Sequence, residues 1–122
     1  YPEMLYERAK ERIPDTVKVA LILYNTGKNP AGIDHDHAIQ VFSIKLAEHI
    51  LNKKNLEDVY DLLSYLSQKA YGEQNEYLDT FFYALERLFF VLKDYPYSDE
   101  IMKVWKEKED ELLAKYGGEK VQ

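Results

Sequence analysis

Asp34-His35-Asp36-His37 sets two imidazoles and two carboxylates in consecutive positions, and Glu48 and His49 follow further along the same expected helix. Imidazole nitrogens and carboxylate oxygens are ligands that suit zinc or iron, so this stretch is where a metal centre would be sought. Helical geometry works against it. Each residue turns about 100°, so His35 and His37 point in different directions, and His37 and His49 diverge by about 120° around the axis. The simpler reading is a capped helix start with exposed imidazoles, with Asp34 and Asp36 at the positive end of the helix dipole. A metal-binding protein or metal-dependent enzyme using Asp34, His35, Asp36 and His37 is the alternative.

Other catalytic patterns are incomplete. Glu57 and Asp61 lie one helical turn apart, as in the magnesium-holding helices of all-helical nucleotide pyrophosphohydrolases. The second acidic pair that such a site needs on another helix is missing. There is no nucleophile with a base and orienting acid, and no glycine-rich phosphate loop. The sequence therefore supplies no catalytic residues and implies no cofactor.

A different chemistry runs through the middle of the chain. Between Asn55 and Thr80 there are six acids (Glu57, Asp58, Asp61, Glu73, Glu76, Asp79) against one base, Lys69, while the whole chain carries a net charge of −6. Tyr60, Tyr65, Tyr71 and Tyr77 are interleaved with them, four of the eleven tyrosines. Tyrosine combines a flat apolar area with a hydroxyl and is enriched at binding surfaces. Asp58, Asp61 and Tyr65 fall at i, i+3 and i+7, and Glu76, Asp79 and Tyr83 repeat that spacing. Each triplet is expected to share a solvent-exposed helix face, with Tyr71 to Tyr77 as the tip joining them. Acids that steer and tyrosines that anchor complement a basic protein surface.

The bulk composition narrows the partners. An acidic chain with scattered lysines and arginines does not offer the clustered cations that phosphate neutralisation needs, so direct nucleic-acid binding is not expected. No apolar run approaches the roughly 20 residues needed to span a bilayer, so no membrane partner is expected. The absence of cysteine fits a reducing compartment, the cytoplasm. At 122 residues a single domain, residues 1–122, is expected.

Prolines and glycines punctuate helical periodicity throughout, which predicts an all-α fold of five to six helices packed as antiparallel hairpins, an irregular bundle or a short stack of helix pairs. The first helix runs from Pro2 to Arg12. The second is capped by Asp15 or Thr16 and stops at Asn25-Thr26-Gly27. The third starts near Asp34 or Asp36, after a loop from Lys28 to Ile33. The fourth is capped by Asn55, buries Val59, Leu62, Leu63, Leu66 and Ala70, and closes at Gly72. The fifth, from about Asn75 to Asp94, is apolar over most of its circumference and is expected at the centre. A sixth, from Ser98 to Gly117, would bury Ile101, Met102, Trp105, Leu112 and Leu113, with residues 118–122 a frayed tail.

Leu62-Leu63-Ser64-Tyr65-Leu66, then Tyr77-Leu78 through Leu85-Glu86-Arg87-Leu88, then Trp105-Lys106 together resemble small all-helical bacterial immunity-type or uncharacterised proteins of toxin loci. The resemblance covers about half the chain, mainly the C-terminal half, and implies a protein partner that this chain inhibits. The expectation is thus a non-enzymatic protein-binding domain presenting Asp58, Asp61, Tyr65, Tyr71, Glu73, Glu76, Tyr77, Asp79 and Tyr83 to a basic protein, or to a second copy of itself.

Overall fold

The computed structural model describes residues 2–95 together with Asp99, Glu100, Lys103, Val104 and Glu107. Among the described residues five helices follow one another: α1 (Pro2–Arg12), α2 (Pro14–Thr26), α3 (Ile33–Asn52), α4 (Leu56–Gly72) and α5 (Glu76–Leu92). The all-α expectation holds. The expected sixth helix lies for the most part outside the described residues, as does the tail. Among the described residues no helix is long and apolar enough to cross a membrane.

Side-chain pairings give the topology. Thr26 meets His35 and Thr16 meets His49, so α2 and α3 form an antiparallel hairpin. Ser67 meets Asp79 and Tyr60 meets Phe90, so α4 and α5 form a second. Tyr6 meets Tyr65 and Arg12 meets Asp58, so α1 runs antiparallel along α4. It packs more extensively on α4 than on α2, its neighbour in sequence.

The centre is α4. Val59, Leu62, Leu63, Leu66 and Ala70 are fully buried, and only Glu57, Gln68, Tyr71 and Gly72 of the helix are exposed. Each of the valine and leucine side chains contributes about 1.5–3 kcal/mol over an exposed one. The expectation that α5 is central is corrected. Leu78, Phe82 and Phe89 are buried, but Tyr83, Ala84, Leu88, Phe90 and Val91 face outward. The reason is that α1 flanks α4, so that α4, not α5, is enclosed.

Two boundaries also differ from expectation. Neither Asp15 nor Thr16 caps α2, which begins at Pro14 with its fixed φ suited to a first turn. Asn55 precedes α4 in the left-handed region (φ 55°) and makes no capping bond; its amide donates to the Arg12 carbonyl at 3.4 Å. Asn75 does cap α5, accepting from the Leu78 amide at 3.1 Å.

Gly27, after the last turn of α2, has ordinary helical backbone (φ −65°), so its role is spatial. A Cβ there would run into the fully buried Leu78 side chain of α5 and lie 3.3 Å from the Leu23 carbonyl. Gly27→Ala should therefore destabilise the protein by about 1–3 kcal/mol in urea unfolding, as overpacking does. An unchanged midpoint would show that α2 and α5 are not held this closely.

Candidate functional site

The acidic face expected on α4 is built, but it is occupied from within. Asp58 is buried (5% exposed) and lies 3.8 Å from the Arg12 guanidinium of α1. Asp61 is half-buried, and that burial together with the nearby Glu57 raises its pKa, while Arg8 of α1 opposes the rise. Tyr65 is half-buried with its ring stacked on Tyr6 at 4.9 Å. The expectation that Asp58, Asp61 and Tyr65 form a solvent-exposed face is therefore corrected. Their basic, aromatic complement is α1: Tyr6 stacks on Tyr65, Arg12 pairs with Asp58, and Arg8 acts on Asp61.

The α4–α5 tip is open. Tyr71 is 75% exposed, Tyr77 39% and Tyr83 50%, and Glu73 and Glu76 are exposed. Tyr71, Gly72, Gln74, Asn75, Glu76 and Asp79 line a shallow depression of about 650 Å³. The turn is tight because Gln74 takes a left-handed conformation (φ 58°) and the Asn75 amide reaches back to the Ala70 carbonyl at 2.9 Å. Tyr83 stands a helical turn from Arg87, whose guanidinium donates to its hydroxyl at 3.3 Å.

Three polar links brace this tip. The buried Tyr24 hydroxyl of α2 donates to Glu73, whose carboxyl pKa is lowered chiefly by that bond, while burial and the same bond raise the Tyr24 pKa. Lys69 sits over the Tyr24 ring at 4.8 Å and reaches Glu73 at 3.6 Å. Half-buried Asp79 accepts from the Ser67 hydroxyl at 2.9 Å. Glu76 and Tyr71 thus stand at the outer edge of the depression, whereas Glu73 and Asp79 are already engaged within the chain.

The histidines are structural anchors. His35 is 1% exposed, with Nδ1 3.1 Å from the Thr26 hydroxyl and Nε2 2.8 Å from the Tyr77 hydroxyl. Thr26 donates its own proton to the Leu23 carbonyl. His35 Nδ1–H therefore donates to Thr26 and Nε2 accepts from Tyr77, which fixes one neutral tautomer. The pair ties the ends of α2, α3 and α5 together and leaves mainly the Tyr77 ring for a partner. His49 is arranged likewise: Nδ1–H donates to the Lys54 carbonyl at 3.0 Å, and Nε2 accepts from the buried Thr16 hydroxyl at 2.7 Å.

The four consecutive residues 34–37 do not converge. The expectation of exposed imidazoles is corrected: His35 and His37 are buried although the helical step sets them about 200° apart, while Asp34 and Asp36 are exposed. Both ring nitrogens of His35 are committed to hydroxyls. Among the described residues no group of three or more His, Asp or Glu side chains is placed to hold a metal ion.

Burial lowers the pKa of both His35 and His49. Between the lowered folded value and the ordinary value of about 6.5 the unfolded chain binds more protons, so stability rises with pH across that window. The contribution is complete above about pH 6.5 and is lost as pH falls through the folded pKa values. The melting temperature should drop between about pH 7.5 and pH 5.5, and less so in His35→Gln/His49→Gln. Equal drops in both proteins would contradict the assignment.

No family model matches the chain, and neither a curated protein nor a solved structure matches it.

Proposed function

We propose that the protein is a non-enzymatic binding domain that offers the tip of the α4–α5 hairpin to a basic protein, acting as an inhibitor of the immunity type. The observation that carries this reading is that the exposed Tyr71 and Glu76 line one depression, with the exposed Tyr77 next to Glu76 in the chain, on a turn braced from behind by Tyr24, His35 and Ser67. A braced aromatic anchor loses little entropy on docking, and carboxylates at its edge speed the approach of a cationic surface. Tyr83 extends the same side along α5. Asp58, Asp61 and Tyr65 serve the surface only indirectly, by seating α1 on α4. The cysteine-free composition favours the reducing cytoplasm as its place of work.

The test is a photocrosslinking amino acid at position 71, with one at the exposed Lys18 of α2 as control, in lysate of the source cells. Position 71 should capture a basic protein that position 18 does not, and capture should fall with added salt and with Glu76→Lys. Identical adducts from both positions, or adducts indifferent to charge reversal, would place the binding surface elsewhere.

A further inference from the structure

Gly72 is a glycine that the fold does not require. Helices commonly end on a glycine because the residue after the last turn adopts a left-handed backbone, but at the end of α4 that conformation falls on Gln74 (φ 58°). Gly72 is the last residue of α4 and lies outside the left-handed region. A Cβ built on it would meet nothing within 4 Å, so packing does not exclude a side chain either. Glycine in a helix destabilises it relative to alanine. What its presence at position 72 does is keep the space over the end of α4 open.

The chemistry around that space is one-sided. Tyr71, Gly72, Gln74, Asn75, Glu76 and Asp79 line the depression of about 650 Å³, a set with two carboxylates, two amides, one aromatic ring and no base. Lys69, one turn earlier on α4, is turned to Glu73 and the Tyr24 ring. The negative end of the α4 dipole adds to the same sign, because α4 ends at Gly72. The guest that this lining suits is a cation. Tyr71, 75% exposed, offers it a ring face, and the exposed Glu76 offers a carboxylate. A planar guanidinium uses both kinds of group, stacking on a ring while its fork of N–H groups donates to a carboxylate; an ammonium is a point charge with no face to stack.

We infer that the depression is an arginine pocket: a partner's arginine side chain passes over Gly72, lays its guanidinium on the Tyr71 ring and donates to Glu76. The absent side chain at Gly72 lets that arginine approach the backbone at the end of α4 closely. Asp79, held by the Ser67 hydroxyl, adds negative charge from a fixed position. The inference rests on the hairpin tip as the binding surface and names the side chain that the tip takes.

The test is an NMR titration of the full 122-residue chain with two capped tripeptides that differ only at the centre, glycyl-arginyl-glycine and glycyl-lysyl-glycine. The arginine peptide should shift the backbone amides from Tyr71 to Glu76 saturably and bind at least about fivefold more tightly than the lysine peptide. Gly72→Ala should weaken arginine binding at least about fivefold yet raise the urea midpoint, whereas a glycine kept for the fold would lower that midpoint when replaced. Tyr71→Leu should abolish the preference for arginine, and Glu76→Gln should weaken both peptides. No saturable shift, equal affinity for the two peptides, or Gly72→Ala binding arginine as tightly as the unaltered chain would overturn the inference. Arginine selectivity with no protein captured at position 71 would uphold the pocket and overturn the inhibitor reading. Capture of a basic protein without arginine selectivity would do the reverse.

Discussion

The fold depends on the seating of α1 on α4. An acidic helix with an aromatic at its middle cannot be the centre of a small protein unless something compensates its charge, because a buried carboxylate without a partner is costly. Arg12 beside Asp58, Arg8 near Asp61 and Tyr6 stacked on Tyr65 provide that compensation on one side. With that side closed, the leucine stripe of α4 can face α2, α3 and α5 on the other. The enclosure of α4 in turn puts α5 at the edge, with its inner residues Leu78, Phe82 and Phe89 in the core and exposed apolar residues outside.

Most of the architecture was legible from local signals. The stripe Val59, Leu62, Leu63, Leu66 and Ala70 has a helical period and is fully buried, and prolines and glycines marked the breaks between helices. The relative placement of helices was not legible, because apolar content alone made α5 look central. Its outer residues are apolar without being core, and the periodicity of a single chain does not distinguish the two. The acidic face on α4 shows the same difficulty for polar residues. Asp58, Asp61 and Tyr65 share a face as their spacing required, yet a face suited to a basic partner looks identical whether that partner is foreign or is α1. The signal that separates them is complementary spacing within the chain: Tyr6 and Arg12 are six residues apart, within one residue of the seven along α4 from Tyr65 back to Asp58.

The histidines illustrate a second limit. Four potential ligands in a row suggested metal chemistry, but hydroxyl partners decide what an imidazole does. Thr26 and Tyr77 around His35, and Thr16 beside His49, come from distant parts of the sequence. They convert both rings into neutral cross-braces between helices. The brace at His35 holds Tyr77 at the foot of the α4–α5 tip, so the same buried network that stabilises the bundle also makes the exposed tip rigid.

The most direct measurement of the α1–α4 interaction is a double-mutant cycle between Tyr6 and Tyr65, using Tyr→Ala at each position and both together, read by urea unfolding. A stacked ring pair in a docked α1 predicts a coupling of about 0.5–1.5 kcal/mol. A coupling of zero, with the two substitutions strictly additive, would mean that α1 does not seat on α4 and that the acidic face stands open to solvent.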